Sequence, residues 1–436
     1  MKLLILPHQL YDIKYFPEDI TEVILYEHPQ YFKKYKFNKK KLMLHRASMK
    51  EYEYLIKKKY SVKYLNFNSK FIYKKNDFIM FEPIDKLSIK EKAKEILESP
   101  NFLLTIKDYE GFRKKSDKFF FNSFYMNGKK IINLIPDVKS QDKQNRKKLP
   151  KTLKIPPIPK LENNKYINEA KEYVEKNFKK NYGNCDNFIY PTNKKTALKF
   201  LNDFIKKKFS NFGSYQDYMV QNEDYMFHSL LSSSINIGLI NPLEIIEKIK
   251  DLKDKIPLNS FEGYIRQLFW REYQRYTYLY CDFNLNFFEN KKKLGVDWYK
   301  GTTGCGPVDY AIKTGFESGY LHHIYRLMVI GNYMNLSGIS PKEGFKWFME
   351  FSCDSYEWVM YQNVLDMVFF VTGGKTMRKP YVSSSNYVLN MSDFKKGDWS
   401  VNWDKLYLEF QKKNIDKLWK FRYSFPQLKK IKEGIL

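Results

Sequence analysis

Cysteine is scarce in this sequence, and its four cysteines are far apart. They are Cys185, Cys281, Cys305 and Cys353, and no two of them form a C-x-x-C pair. Disulfide frameworks, zinc sites and iron–sulfur sites all need paired or closely spaced cysteines. The spacing therefore indicates none of these, and we expect buried thiols.

Long apolar runs are also missing. No stretch approaches the roughly 20 apolar residues that cross a bilayer, and Lys2–Leu6 is too short for a secretory signal. The first hundred residues contain no G-x-G-x-x-G motif, so a dinucleotide site is not indicated there. We expect a soluble, intracellular protein with no membrane partner.

Acidic residues are few beside basic ones. Lys and Arg number 76 and Asp and Glu 49, which gives a formal net charge of +27. This excess makes a polyanion the expected partner, nucleic acid ahead of an anionic membrane. Part of it also matches the codon bias of an AT-rich genome, and such lysines would only be solvated. The 18% of aromatic residues suits stacking on flat ligands or bases, and equally suits crowded cores.

The chain of 436 residues is long enough for two domains, because single cores stop growing near roughly 250–300 residues. Over the first hundred residues, short apolar runs alternate with predicted helices near Leu42–Lys58 and Ile89–Leu97. This alternation is typical of a parallel, Rossmann-like α/β sheet. The predicted strands are Leu3–Leu6, Val23–Tyr26, Tyr64–Phe67 and Phe78–Phe81, with Phe102–Ile106 as a further candidate.

A segment rich in lysine and proline divides the chain. It runs from Ser140 to Asn164, and its prolines are excluded from helix interiors. Beyond it, apolar residues recur at helical spacing. We predict an α/β domain over residues 1–135, a linker over 136–165 and an all-helical domain over 166–436. The clearest helical patterns are Ala197–Lys208, Leu243–Lys250, Phe261–Tyr280 and Val308–Leu336.

A segment rich in hydroxyl groups lies near the start of the helical region. Phe212–Tyr218 is followed by the serine-rich stretch Phe227–Gly238. Backbone N–H groups and hydroxyls at a helix start can hold a diphosphate, because the helix dipole makes that end positive. Serine-rich helix caps without a ligand are common, so this segment alone leaves both interpretations open.

Further motifs follow in a fixed order, at Tyr264–Tyr273, Gly319–Met328, Trp347–Glu350 and Asp354. With the hydroxyl-rich segment, they resemble the photolyase/cryptochrome family. The resemblance is closest to the bacterial iron–sulfur branch of (6-4) photolyases and photolyase-related proteins. It covers Gly213 to about Phe410, and the N-terminal part is similar only in architecture. The motifs that match this branch in particular are Gly301–Gly304, His322–His323, Lys379–Tyr381 and Asn390–Asp393.

The resemblance implies that the helical domain binds FAD. Arg326 and Asp354 match an ion pair beside the flavin ring, where a fixed cation favours the reduced, anionic flavin. An ordinary buried salt bridge is the alternative interpretation. Met360 stands where the related branch has a carboxylate. The positions that match FAD contacts are Tyr215, His228, Ser229, Leu230, Leu231, Ser232, Arg271, Arg326, Asp354, Met360 and Asn363.

The same resemblance implies UV-damaged DNA as the partner. Gln267 and His323 match the glutamine and proton-donating histidine of (6-4) photolyases, whereas cyclobutane-dimer photolyases usually have a carboxylate and an asparagine. A (6-4) product needs an acid to return its migrated hydroxyl group. We therefore expect (6-4) lesions, with cyclobutane dimers as the alternative. The expected catalytic residues are His323, Gln267, Tyr381 and His322, and the expected DNA contacts are Trp270, Lys375, Arg378 and Lys379.

Photoreduction of a flavin requires oxidisable aromatic rings between the cofactor and the surface. By resemblance to the related branch, Trp347 and Phe348 match the inner part of this path, and Trp298 or Tyr299 would be its outer member. Phe348 is a poor relay at one of the inner positions, because phenylalanine oxidises far less readily than tryptophan or tyrosine. Trp347 could pass the charge directly, or Trp358 or Tyr356 could substitute for Phe348. Each candidate is also a normal core residue. The candidates are Trp347, Phe348, Trp298, Tyr299, Trp358 and Tyr356.

The ligands of the branch's iron–sulfur cluster are not reproduced. The loop Phe394–Ser400 contains no cysteine, and Cys305 is out of register with the remaining ligand position, which falls at Pro307. We predict no cluster and no metal, because four thiolates cannot be assembled. Relatives often bind a lumazine, pterin or folate as a light-harvesting antenna. The sequence around Gln9, Glu27 and His45 contains no decisive motif for binding one of them.

Two other functions remain open from the sequence. A cryptochrome-like photoreceptor would bind flavin and signal without repairing DNA, although the positive charge and the lesion-side residues favour repair. A basic nucleic-acid-binding protein without flavin is the second alternative. We expect a monomer.

Overall fold

The computed structural model describes residues 1–71, 74–115 and 119–436. Its strands are β1 Lys2–Ile5, β2 Glu22–Tyr26, β3 Ser61–Leu65, β4 Ile79–Phe81 and β5 Glu95–Leu97. They form a parallel sheet in the order β3-β2-β1-β4-β5. Leu3 of the central strand pairs with Val23 on one side and Ile79 on the other. The predicted α/β class is confirmed, and β1, β2 and β4 lie where the apolar runs predicted strands.

Three local predictions differ from the structure. The strand predicted at Tyr64–Phe67 begins earlier, as β3. The helix predicted at Ile89–Leu97 is wrong, because Ser88–Lys92 forms a 3-10 turn and the following residues form β5. Its lysines and glutamates suit a helix, but hydrogen bonding to β4 outweighs that local preference. The candidate strand Phe102–Ile106 is also wrong, since it is irregular up to the start of the next helix.

The rest of the chain is mostly helical. The helices up to residue 249 are α1 Pro29–Phe32, α2 Lys39–Ile56, α3 Ile106–Lys115, α4 Phe121–Ile131, α5 Lys165–Asn177, α6 Lys194–Lys207, α7 Phe209–Tyr215, α8 Ser232–Asn236 and α9 Pro242–Ile249. The later helices are α10 Leu258–Tyr280, α11 Asp297–Lys300, α12 Gly306–Ser318, α13 Asn332–Leu336, α14 Pro341–Phe351, α15 Glu357–Met360, α16 Asn386–Met391, α17 Asp398–Lys413, α18 Ile415–Trp419 and α19 Gln427–Lys432. Within the described ranges, no helix combines the length and apolar character of a bilayer-spanning segment. Residues 145–164 contain neither helix nor strand, and the division into domains stays a prediction.

The predicted helix Val308–Leu336 is interrupted. α12 ends at Gly319, whose φ of 71° favours glycine and where a Cβ would lie 2.6 Å from the Sγ of Cys353. The chain resumes as a π-helical segment, Tyr325–Gly331, and continues into α13. A second π-helical segment spans Tyr361–Val368. Such wide turns are rare and occur frequently at functional sites.

The helical region fills the crevice at the carboxyl ends of the strands. β1 lies between β2 and β4, and sheets of this kind commonly bind ligands at such a switch point. Here the backbone N–H of Leu10 donates to the carbonyl oxygen of Ile237 at 3.0 Å. The next residue, Gly238, packs so closely on Tyr11 that a Cβ would lie 2.5 Å from the tyrosine ring. The crevice therefore joins the sheet to the helices.

Candidate functional site

A cavity of about 910 Å³ opens among the helices of the C-terminal region. Phe348, Met360 and Val364 line its inner end and expose 3% or less of their surface. His323 and Tyr381 line the outer end and are exposed. Ligand pockets span roughly 300–1,000 Å³, so this cavity has the size of a binding site for a large organic ligand.

Both π-helical segments contribute to the cavity wall. Tyr325–Gly331 supplies Arg326, and Tyr361–Val368 supplies Asn363. The hydrogen bonds that define a π turn depend on packing by the rest of the fold. The sequence pattern predicted helices here but gave no sign of the wider turns.

An ion pair stands at the wall of the cavity. Arg326 donates from Nη1 to Oδ1 of Asp354 at 2.9 Å and from Nη2 to Oδ2 at 3.2 Å. The hydroxyl group of Ser232 also donates to Oδ2, at 2.8 Å. Burial opposes ionisation of Asp354, but the charge and hydrogen bonds of Arg326 outweigh it and hold the pKa of this carboxyl below its usual value. The pair therefore fixes a cation at the cavity wall.

Three histidines meet beside the cavity, with ring nitrogens of His228, His322 and His323 within 4.8 Å of one another. The nitrogens of His228 are already paired, at 2.8 Å with the hydroxyl of Tyr320 and at 3.0 Å with the carbonyl oxygen of Gln216. His322 and His323 stack with planes 9° apart, so the lone pairs of their ring nitrogens lie in two nearly parallel planes. The cluster suits hydrogen bonding better than metal binding, and the absence of a metal stays a prediction.

Only His323 of this cluster lines the cavity. Burial lowers the pKa of His228 to about 3 and that of His322 well below its usual value, so both rings are neutral near pH 7. The Nε2 of His323 lies 3.0 Å from Oδ1 of Asp217. A carboxylate only accepts hydrogen bonds, so this nitrogen carries a proton. The other nitrogen, Nδ1, has no hydrogen-bond partner in the described part of the chain.

Asp217 was missed in the sequence interpretation, although it lies in the quoted segment Phe212–Tyr218. Its Oδ2 is 3.3 Å from Nε of Arg146. Burial opposes its ionisation, but the hydrogen bond and charge of His323, followed by the charges of Arg146 and Arg266, lower the pKa of Asp217. A separation of 106 residues from His323 hides this pair from any local motif.

Known proteins share this fold and much of this sequence. The sequence profile described as deoxyribodipyrimidine photo-lyase-related protein matches residues 3–190. A (6-4) photolyase of Agrobacterium fabrum is 36% identical over 295 residues, which cover 64% of this chain and 58% of that protein. The chain thus spans less than two thirds of that relative's length.

The chain therefore resembles the photolyase-related family. The profile match also extends the resemblance into the N-terminal part, where the sequence motifs gave only similar architecture. A Synechocystis cryptochrome has a similar fold, with a TM-score of 0.62 and 14% identity over 94% of this chain and 88% of the cryptochrome. A Sulfolobus tokodaii photolyase described with two FAD molecules gives a TM-score of 0.54 and 14% identity over 85% of each chain.

The expected flavin contacts fall into two groups. Arg326, Met360 and Asn363 line the cavity. The others do not line it, although Ser232 connects their segment to the ion pair. Leu230 has a φ of 57°, an uncommon conformation for a side chain of its size and one that often marks functional segments. The second group is Tyr215, His228, Ser229, Leu230, Leu231, Ser232, Arg271 and Asp354.

The hydroxyl-rich segment ends in α8, which has only five residues. A helix this short has a weak dipole, so any phosphate binding would depend on individual hydroxyl and amide groups. The buried hydroxyls of Ser233 and Ser234 have no partner within the described chain. They were not among the expected contacts, and buried polar groups normally find a partner.

Arg271 connects the helical region to the segment after β5. Its Nε donates to Oδ1 of Asn236 at 2.9 Å, and its Nη1 donates to the carbonyl oxygen of Asn101 at 2.6 Å. The guanidinium lies over the rings of Phe102 and Trp358. Burial lowers its pKa to about 10, which leaves it charged at neutral pH. These contacts are structural, and its contact with flavin stays a prediction.

The expected lesion residues gather at the outer end of the cavity. Gln267, Trp270 and Tyr381 all line it, and Gln267 donates to Oε1 of Gln216 at 3.1 Å. The ring of Trp270 is stacked on Phe121, with centroids 3.7 Å apart and planes 6° apart. Phe121 was not recognised from the sequence, because it precedes Trp270 by more than a hundred residues and lies in another helix.

The expected DNA-binding cations fall into two groups. Lys379 lines the cavity, whereas Lys375 and Arg378 are exposed outside it. The guanidinium of Arg378 lies 5.9 Å from the ring of Phe120. Lys379 puts a positive charge on the same cavity wall as Tyr381, which suits a phosphate backbone, and DNA contacts of Lys375 and Arg378 stay predictions.

Two aromatic residues considered for electron transfer lie away from the cavity wall. Trp358 packs edge-on against Phe102, with centroids 5.4 Å apart. The hydroxyl group of Tyr356 lies 2.8 Å from Nε2 of His45. Neither lines the cavity, so their membership of a path stays a prediction.

The residues considered for antenna binding already form hydrogen bonds within the chain. Gln9 donates to the carbonyl oxygen of Phe81 at 2.9 Å, and Glu27 accepts hydrogen bonds from Arg46 and from two tyrosine hydroxyls. The cavity beside Tyr356 holds only about 10 Å³, roughly the space of one water. The identity of an antenna stays open.

The thiols partly match the expectation. Three of them are buried, but Cys281 is partly exposed at the end of α10. In the described ranges, the histidine cluster is the only set of three histidine, cysteine or acidic side chains placed for a metal ion. The absence of an iron–sulfur cluster stays a prediction.

Proposed function

We propose that this chain is a light-driven DNA photolyase that holds FAD in the cavity and repairs UV-linked pyrimidines, with (6-4) products as the preferred lesion. The observation that carries this proposal is that His323, Gln267 and Tyr381 line one large cavity together with Arg326. These residues come from three separate parts of the chain, because His323 and Arg326 lie in the same segment. The name of the Agrobacterium relative supports the choice of lesion.

The cavity fits FAD in size and in chemistry. Its volume of about 910 Å³ suits a large ligand, and Arg326 and Asn363 offer hydrogen-bond donors beside the apolar side chain of Met360. Reduced FAD, when bound and illuminated, would supply the electron that opens the lesion. The cation of Arg326 stabilises negative charge nearby, and Asp354 keeps that cation in place.

His323 supplies the proton in this mechanism. With Nε2 held by Asp217, the protonated ring presents an N–H group at Nδ1 toward the lesion. A (6-4) product needs that proton when its migrated hydroxyl group leaves. Gln267 hydrogen-bonds the extruded base, and Tyr381 supports it from the rim. Lys379, on the same cavity wall, holds the DNA backbone.

The test is illumination of the purified, flavin-reduced protein with two oligonucleotides, one carrying a (6-4) product and one a cyclobutane dimer. We expect light-dependent return of thymines from the (6-4) substrate, measured by chromatography against a dark control. Repair of only the cyclobutane substrate would overturn the lesion preference. Repair of neither substrate by protein with bound flavin would instead indicate a photoreceptor, and a protein without visible flavin absorption would contradict the FAD site.

Replacing Asp217 with asparagine should slow (6-4) repair by roughly tenfold to a hundredfold. The charged hydrogen bond to His323 is worth about 1.5–3 kcal/mol, and each 1.36 kcal/mol is tenfold in rate. Asparagine keeps the shape but not the negative charge that faces Nε2 of His323. Single-turnover repair rates of the variant and of wild type measure the effect. A variant that repairs (6-4) lesions at the wild-type rate would assign Asp217 a purely structural role.

A further inference from the structure

A route of aromatic side chains leads outward from the inner end of the cavity. Phe348 lines the cavity, and the ring of the fully buried Trp347 lies 5.2 Å from it. Phe316 packs edge-on against Trp347 at 5.4 Å and lies 5.8 Å from Tyr299 on its other side. Phe316 also contacts Tyr182, with centroids 5.1 Å apart. Tyr299 and Tyr182 are therefore the next oxidisable rings along this line, one phenylalanine away from Trp347.

Tyr299 has an unusual partner for a residue near the surface. Its hydroxyl group donates to Oε2 of Glu350 at 3.0 Å, and the glutamate side chain is completely buried. The other glutamate oxygen accepts from the backbone N–H of Lys36 at 3.2 Å. The ring of Tyr182 stacks on Tyr299 with centroids 4.7 Å apart and planes 16° apart. The phenol is thus held between a fixed carboxylate and a second tyrosine ring.

A phenol that loses an electron becomes a strong acid, so its oxidation is easiest where a base takes the proton at the same time. Glu350 is such a base at hydrogen-bond distance. Burial raises the pKa of Glu350, partly offset by Lys346 and by the bond from Tyr299, so the carboxylate retains a proton better than an exposed glutamate.

We propose that Tyr299 and Glu350 form the outer, proton-coupled electron donor of the photoreduction path. This inference rests on the proposed flavin function and goes beyond it by choosing Tyr299 over Trp298 as the outer donor and by assigning Glu350 as its base. Once light has moved one electron from Trp347 to the cofactor, Tyr299 returns one electron to the indole radical cation and gives its phenolic proton to Glu350. The products are neutral Trp347, a neutral tyrosyl radical and a protonated Glu350. A thiol reductant from solution then restores Tyr299 by donating one hydrogen atom, and Glu350 releases its proton.

A second line of rings also leaves Trp347. Its indole N–H donates to the carbonyl oxygen of Trp298 at 2.7 Å. From Trp298 the line continues through Tyr333 and Trp403 to Trp399, with ring centroids 6.0, 4.9 and 6.1 Å apart. Tyr333 has no hydrogen bond to a carboxylate in the described chain, so this line lacks a base for tyrosine oxidation. This second line is the competing electron-transfer route, and the experiment must distinguish it from the route through Phe316 to Tyr299.

The experiment uses the flavin-loaded protein without DNA, illuminated in the presence of a thiol and followed by transient absorption and electron paramagnetic resonance. In wild type we expect a tyrosyl radical whose formation slows in D₂O, because a proton moves with the electron. Tyr299→Phe should lose this radical and leave a short-lived indole radical. Glu350→Gln keeps the phenol but removes the base, so the radical should form more slowly and show a steeper rise with pH. Tyr333→Phe, the matched control, should keep the wild-type signal.

A tyrosyl signal that persists in Tyr299→Phe would overturn the proposal, as would its loss in Tyr333→Phe alone. Circular dichroism and flavin content check that each variant is folded. Unchanged kinetics in Glu350→Gln would remove the proton-coupled part of the assignment. The proposed function is tested by a different result: wild-type protein with chemically reduced flavin that repairs neither lesion would contradict it, whatever the radical measurements show.

Discussion

Asp354→Asn is expected to destabilise the folded protein by about 3–5 kcal/mol and to reduce flavin retention. Arg326 and Asp354 expose only 17% and 13% of their side chains, and removal of one partner leaves an uncompensated charge in a poorly solvated place. The hydroxyl groups of Ser232 and Ser352 each donate to one carboxylate oxygen, and asparagine leaves only one acceptor oxygen for the two of them. Urea unfolding measures the free energy, and absorbance after gel filtration measures the flavin.

The matched control for this variant is Asp77→Asn. Asp77 pairs with Lys2 at 3.0 Å, but both side chains are about 40% exposed, and such solvent-screened surface pairs contribute little to stability. Because the pKa of Asp354 is lowered in the fold, its stabilising effect is complete above the unfolded value of about 3.9 and is lost as the pH falls through the folded value. The stability gap between wild type and Asp354→Asn should therefore narrow below about pH 4. Equal effects of the two substitutions would contradict a special role for this pair.

His323→Ala is expected to slow (6-4) repair by roughly 10²–10⁴-fold, the usual contribution of a positioned general acid. The side chain is exposed to the cavity and packs mainly on other histidines, so the fold and flavin content should change little. Single-turnover repair of a (6-4) oligonucleotide after reduction of the flavin measures the chemical step without photoreduction.

His28→Asn provides the control for His323→Ala. His28 begins α1 by accepting from the backbone N–H of Gln30, a role that asparagine also performs, and it does not line the cavity. Repair by this variant should match wild type. If His323→Ala repairs (6-4) lesions at the wild-type rate, the proton comes from another group, and the lesion preference loses its main physical support.

Periodicity predicted the fold class because it depends on local apolar patterns. β1, β2 and β4 carry continuous apolar runs, which the parallel sheet buries on both faces. β5 could not be predicted in this way, because Glu95 and Ile96 are exposed at the sheet edge and its neighbours favour a helix. The break at Gly319 likewise depends on a tertiary contact, the approach of Cys353.

The site was predicted from resemblance more than from chemistry. His323 and Gln267 are 56 positions apart in the printed sequence, and only the folded chain places them on one cavity. Contacts across such distances explain why Asp217 and the stacking of Phe121 on Trp270 were missed. Local signals existed only for the hydroxyl-rich segment, and its helix is shorter than a phosphate-binding helix would be.

The filled crevice at the end of the sheet has a mechanical consequence. The bond from Leu10 to Ile237 and the contact of Gly238 with Tyr11 join the sheet to the chain immediately after α8, and Arg271 adds a second connection at Asn101. The α8 segment bonds in turn to Asp354 through Ser232. A disturbance of the sheet can therefore be transmitted to the Arg326–Asp354 ion pair through a short series of hydrogen-bonded groups. The N-terminal region acts as a brace for the cavity, and unfolding of the sheet and loss of a bound cofactor should occur as one event.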